Sequence, residues 1–193
     1  MATKHDPTSG PRAAMIGSAV DLIRERGVAA TSFADVLAHS GAPRGSIYHH
    51  FPRGKSQLVE EATQAAADRL GRGVERVLDA TDTVGALRAL ADVWRRGFET
   101  SGYRAGCPIV AAALGTEPGA RSIAGTTFDT WCSLIATKLT VEGVGSARAS
   151  SLSVLIVSAL EGALVVAQAQ GSTTPLDTVV AELELVCRAA VSR

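Results

Sequence analysis

A chain of 193 residues, 46 % hydrophobic and 4 % aromatic, is long enough to bury a core without disulfides and fits one large domain or two small ones. Nineteen Lys and Arg balance nineteen Asp and Glu, so no global basic field points to nucleic acid. The balance is local, however: up to Lys55 there are seven basic and four acidic residues, after it twelve and fifteen, and all four histidines precede the cut.

In chain order, Met1 to Pro11 is polar and lacks the apolar centre of a signal peptide. Gly and Pro then divide the chain into helix-length pieces, and no stretch alternates apolar and polar residues as a sheet requires, so the expected fold is all-α. The first helix is predicted from about Gly10 to Arg26, with Ser9 as cap, Pro11 in its first turn, and Met15, Ala19, Leu22 and Ile23 on one apolar face. Ser32 and Asp35 form a capping-box pattern that starts a helix from Phe33 to His39, with Phe33, Val36 and Leu37 inward and Ser40-Gly41 as its end. Pro43 opens a second short helix ending near His50. A long helical pattern follows from Lys55 to Ala80, with Leu58, Val59, Ala62, Ala66, Leu70, Val74 and Val77 at steps of three and four.

Further helices are expected at Thr83–Ser101, Cys107–Leu114, Ala120–Val141, Ala147–Gln170 and Leu176–Val191, about nine in all. The most apolar stretch, Leu152 to Ala169, carries Glu161 at its centre, and a central carboxylate costs a membrane helix about 2.5 to 3.5 kcal/mol. The expectation is a soluble protein. Cys107, Cys132 and Cys187 form neither an even disulfide set nor a metal-binding spacing, which makes the cytoplasm the expected compartment.

Two short helices joined by a turn at Gly41 follow the helix-turn-helix plan, whose second helix enters the major groove of DNA. The run Thr31-Ser32-Phe33-Ala34-Asp35-Val36-Leu37-Ala38-His39-Ser40-Gly41-Ala42-Pro43-Arg44-Gly45-Ser46-Ile47-Tyr48-His49-His50-Phe51 resembles the signature of the TetR family of transcriptional repressors. The resemblance spans about Ala14 to Leu58, and the Gly106-Cys107-Pro108 segment resembles the subgroup found beside multidrug-efflux genes. Pro43 stands where the family usually has a hydroxyl, and one extra residue separates Phe51 from Lys55. The resemblance implies a DNA-binding domain at residues 1–55, with a disordered tail over about 1–8, and a ligand-binding and dimerisation domain at 56–193.

On this reading Arg44 and Ser46 face base edges, where an arginine pairs with guanine O6 and N7. Gly45 lets backbone approach the groove. Thr31, Tyr48, His49 and Lys55 are expected at phosphates, which set register rather than sequence; Ser32 completes the DNA-binding set. For Tyr48 and His49 the alternative is a packed helix end.

In the body, Trp94 and Phe98 share one helical face and Phe128 and Trp131 another. With Cys107, Thr127 and Glu161 they line a candidate apolar pocket or simply fill a core. Glu161 meets a ligand's amine or hydroxyl, pairs with Arg95 or Arg96, or sits at a solvated edge. Cys107 and Cys132 are redox sensors or buried structural thiols. Val154, Val157, Glu161, Val165 and Gln168 with Val179, Leu183 and Val186 suit a four-helix dimer seam, the alternative being burial in their own subunit.

The expected function is a ligand-responsive repressor that binds a near-palindromic operator as a homodimer and is released by a hydrophobic small molecule. It needs no cofactor and no metal. The alternatives are a small helical enzyme or a partner-binding module using the C-terminal cavity. The enzyme has little chemistry to draw on: after His50 there is no histidine, no nucleophile with a base and no phosphate loop.

Overall fold

The computed structural model describes residues 10–43 and 45–191. Among them all regular structure is helical, as expected, in nine helices: α1 Pro11–Arg26, α2 Phe33–Ser40, α3 Ser46–His50, α4 Lys55–Ala80, α5 Thr83–Ser101, α6 Pro108–Ala113, α7 Pro118–Val141, α8 Ser146–Gln170 and α9 Thr174–Val191. The described chain divides into two compact units, one gathering the residues up to Arg69 with Ala105–Gly125, the other Leu70–Arg104 with the chain from Thr126 onward. This grouping by packing cuts the chain at other points than the functional boundary expected after Lys55.

In the first unit, the apolar face read from α1 is buried, with Met15, Ala19, Leu22 and Ile23 at 3 % exposure or less. Val36, Ile47, Phe51, Leu58 and Val59 join it, so one residue from each short helix, Val36 of α2 and Ile47 of α3, anchors the helix-turn-helix to the core. Phe33 and Leu37, expected inward with Val36, are only half-buried. The expected cap Ser9 lies outside the described residues, and α1 starts from Gly10 with no side-chain cap. The Ser32–Asp35 capping box is formed. Asp35 N–H donates to Ser32 Oγ at 3.2 Å and Ser32 N–H donates to the Asp35 carboxylate at 3.0 Å, satisfying donors that a helix start leaves open. Gly41 closes α2 with φ 70°, the left-handed conformation that favours glycine.

The start of α3 differs from the expectation. Pro43 lies in a turn before the helix, its carbonyl accepting from Ser46 N–H at 2.9 Å and Ser46 Oγ at 2.7 Å. These bonds form a tight turn at the point where a longer helix would have begun.

The short helix α6 is clasped to the end of α1 at both of its own ends. Ahead of it, Gly106 N–H donates to the Arg24 carbonyl at 2.9 Å and Arg24 Nε donates back to the Gly106 carbonyl at 3.2 Å. Beyond it, Gly115 approaches Val28 so closely that a Cβ there would lie 3.0 Å from the valine methyl.

In the second unit, Asp82 caps α5 by accepting from Gly85 N–H at 2.7 Å. The helix ends in a Schellman turn: Tyr103 N–H donates to the Phe98 carbonyl at 2.9 Å, with Gly102 at φ 60°. α9 packs on α8 and on α5, burying Leu176, Val180, Leu183 and Cys187. Arg88 holds Glu184 with two bonds of 2.7 and 2.5 Å, and Arg95 holds Asp177 at 2.6 Å.

Candidate DNA-reading surface and effector half

The candidate reading surface is built from the two ends of the helix-turn-helix. Tyr48, third in α3, is 70 % exposed, and His49 beside it is exposed. Ile47 between Ser46 and Tyr48 is fully buried, so α3 is pinned by one side chain while Tyr48 and His49 face water. Ser32 and Gly45 are exposed and Ser46 is half-buried. Lys55 is the first residue of α4 despite the extra residue after Phe51, and its Nζ donates to the Ala29 carbonyl at 3.2 Å. An ammonium has three donors, so this bond holds the side chain and leaves two for a phosphate. Arg44 lies outside the described residues.

Thr31 departs from the expectation. It is 3 % exposed and its hydroxyl donates to the Gly27 carbonyl at 2.9 Å. The side chain braces the loop between α1 and α2, and the expected phosphate contact is corrected to this structural role. Sequence reading missed it because a threonine just before an N-cap serves equally as loop brace or phosphate donor.

The residues expected to line a pocket divide between the units: Cys107 belongs to the first, and Trp94, Phe98, Thr127, Phe128, Trp131 and Glu161 belong to the second. The aromatic rings form two clusters. Trp94 meets Phe98 at 6.4 Å between centroids, and Tyr103 stacks on Phe98 at 5.5 Å; Phe128 meets Trp131 edge-on at 5.6 Å. Phe98 is fully buried and Trp131 is 7 % exposed, against Gly71 of α4. Trp94, Phe128 and Glu161 are half-buried and Thr127 is buried. Tyr103 was missed, although a Gly-aromatic pair four residues after Phe98 carries the signature of the Schellman turn's apolar contact.

Arg95, one of the two arginines weighed as a partner for Glu161, is bonded to Asp177 and Asp92. A groove of about 550 Å³ opens between α5 and α9, walled by these charges and by Arg88, Glu184 and Arg188. Ion-paired side chains and the apolar Val180, Ala181 and Leu185 line it together. No disulfide joins the three cysteines, and Cys107 and Cys187 are buried. Burial pushes the Cys132 and Cys187 thiols up from their ordinary value, which lowers the thiolate fraction on which redox chemistry depends.

On α8 the outward row consists of Val154, Leu155, Ser158, Gly162, Val165 and Val166, with Val154 and Val165 at 54 % and 50 % exposure. Val157, Glu161, Val179 and Val186 are half-buried, and Gln168 donates its amide to the Arg104 carbonyl at 2.8 Å. Leu183 corrects the expected seam: at 4 % exposure it lies in the core of its own unit. Leu185, exposed at 62 %, was missed. α9 carries apolar residues on more than one face, and its period alone does not say which row faces inward.

Residues 16–62 match the family described as bacterial regulatory proteins, tetR family, and residues 83–182 match the transcriptional regulator LmrA/YxaF-like C-terminal domain. The chain is 41 % identical over 178 residues to an uncharacterized HTH-type transcriptional regulator of Mycobacterium tuberculosis, covering 88 % of this chain and 90 % of that one. It is 26 % identical to the HTH-type transcriptional regulator LmrA of Bacillus subtilis over 86 % and 90 % of the two chains. A TetR transcriptional regulator from Chloroflexus aurantiacus superposes with a TM-score of 0.73 at 30 % identity, over 91 % and 92 %. Matches to about half of the chain include the HTH-type transcriptional repressor KstR2 of Rhodococcus jostii, 36 % identical over 94 residues, 48 % of this chain and 46 % of that one. Fold and relatives together define a helix-turn-helix, DNA-binding transcriptional regulator. The chain belongs to the TetR family, with a C-terminal half of the LmrA/YxaF type.

Proposed function

We propose that the protein is a cytoplasmic, homodimeric repressor that binds a near-palindromic operator and lets go of it when a hydrophobic small molecule binds its C-terminal half. The observation that carries the DNA side of this reading is the pinned α3: Ile47 fully buried, Tyr48 and His49 turned to water. Arg44, Gly45 and Ser46 are then the base-reading end, and Ser32, Tyr48, His49 and Lys55 the phosphate contacts. A two-fold protein on B-DNA places its two recognition helices about 34 to 36 Å apart.

The outward row of α8 supports a dimer. α8 is long and apolar enough by composition to cross a membrane, and a helix with one face in its own core and the other in a subunit seam needs the same composition. Six outward positions without a charge leave an apolar patch of the kind that marks an interface. The effector side is supported by the Trp94–Phe98–Tyr103 and Phe128–Trp131 clusters with Thr127 and Glu161, apolar surfaces with few polar groups, as ligand sites commonly are.

The experiment is a gel shift with DNA flanking the protein's own gene, repeated with apolar aromatic compounds while tryptophan fluorescence is followed. Retarded DNA that is released over the concentration range in which fluorescence is quenched is the expected result. No retardation of flanking DNA at low salt overturns the repressor reading; retardation that no quenching compound relieves overturns the ligand reading.

A further inference from the structure

We infer that Phe33 is a positioning residue for DNA binding, its ring holding the ring of Tyr48 so that the phenol hydroxyl is presented to a phosphate. The inference rests on Tyr48 being a phosphate contact. Phe51, Phe98 and Trp131 are buried, and an aromatic residue ordinarily earns its place by such burial. Phe33 is half-buried and Tyr48 is 70 % exposed, yet their rings meet at 5.6 Å between centroids and 81° between planes. This edge-to-face arrangement is the one that the ring quadrupoles favour. The contact joins the first residue of α2 to the middle of α3. Phe33 is fixed in turn by the reciprocal Ser32–Asp35 cap immediately before it, so the chain of support runs from cap to Phe33 to Tyr48.

A tyrosine on a five-residue helix, itself 70 % exposed, must otherwise be ordered at the moment of binding, and a rotamer fixed beforehand removes that cost. Tyrosine hydroxyls are among the regular donors to phosphate oxygens, and such contacts carry no sequence information. The effect is therefore expected on any duplex.

The test is fluorescence anisotropy of the full-length protein on a labelled random-sequence duplex at low salt, with Tyr48→Phe, Phe33→Leu, the double variant and Phe33→Trp. Tyr48→Phe keeps the ring pair and removes the hydroxyl. Each of the first two variants is expected to weaken binding by about two- to tenfold, Tyr48→Phe through the lost hydrogen bond and Phe33→Leu through the lost ring pair. The double variant should bind no more weakly than Tyr48→Phe alone, and Phe33→Trp should restore affinity. The loss in thermal stability from Phe33→Leu should be the same in both backgrounds, which separates positioning from general loosening; where Phe33→Leu does not fold, Phe33→Met takes its place. Equal weakening by Phe33→Leu with and without the hydroxyl, or none in the wild-type background, overturns the inference while leaving Tyr48 as a contact. Unchanged affinity in Tyr48→Phe overturns both.

Discussion

Thr31 and Asp35 flank the start of α2 and do different work. The Thr31 hydroxyl is buried against the Gly27 carbonyl, and removing a buried donor leaves its acceptor unsatisfied at about 1 to 3 kcal/mol. Thr31→Val is therefore expected to lower thermal stability by several degrees while leaving the salt slope of duplex binding unchanged; a lower slope with an unchanged melt would return Thr31 to the phosphate contacts. Asp35 is held below the usual carboxylate range, first by the Ser32 hydroxyl and then by the Ser32 N–H. A carboxylate whose folded pKa is depressed contributes fully above its unfolded pKa, and the contribution is lost as pH falls through the depressed value. An NMR titration should find Asp35 ionising below the ordinary carboxylate range, and Ser32→Ala should return it to that range while costing about 1 kcal/mol as a lost N-cap. The capping box was legible because both partners are written into the sequence three residues apart. The roles of Thr31 and Phe33 were not, since a hydroxyl or ring beside a cap takes its function from a neighbour across the turn.

At the scale of elements, α4 and α5 were legible to the residue because strong stops bound them, with Asp82 capping α5 and Gly102 closing it. α3 was read three residues too long because proline suits a first helical turn as well as it suits the turn that precedes one. The clasp of α6 was invisible in sequence: it depends on Arg24 and Gly106, 82 residues apart, exchanging two hydrogen bonds. Burial lowers the pKa of the Arg24 guanidinium from its usual value, the expected cost of seating a cation against backbone. Gly115 closes the other end. Its Cβ in Gly115→Ala would stand 3.0 Å from Val28 and 3.3 Å from the Ala111 carbonyl, a crowding expected to destabilise by about 1 to 3 kcal/mol. Chemical denaturation should show a lowered midpoint with an unchanged slope, and a stability equal to wild type would mean that the α1–α6 contact is looser than described.

For the whole molecule, the proposed dimer seam and the subunit core draw on different rows of the same two helices, and substitutions separate them. Val165 is half exposed in the outward row of α8 and Leu183 is buried in the inward row of α9. An arginine at Val165 leaves the subunit's own core intact but places a charge in the proposed seam, where burying it without a partner costs far more than a typical contact returns. An arginine at Leu183 puts the same charge into the core of the second unit. Sedimentation should accordingly find Val165→Arg folded and monomeric, and Leu183→Arg should lose its cooperative melt. Operator binding should follow the dimer, because a single head makes half of the phosphate contacts and the salt dependence of affinity scales with their number. Lys55→Ala calibrates that slope: losing one phosphate contact in each subunit should lower it by about 0.9 per lysine while affinity falls on operator and random DNA alike. A monomeric Val165→Arg protein with the full wild-type slope would mean that the second subunit adds no contacts, and the two-fold operator would have to be abandoned.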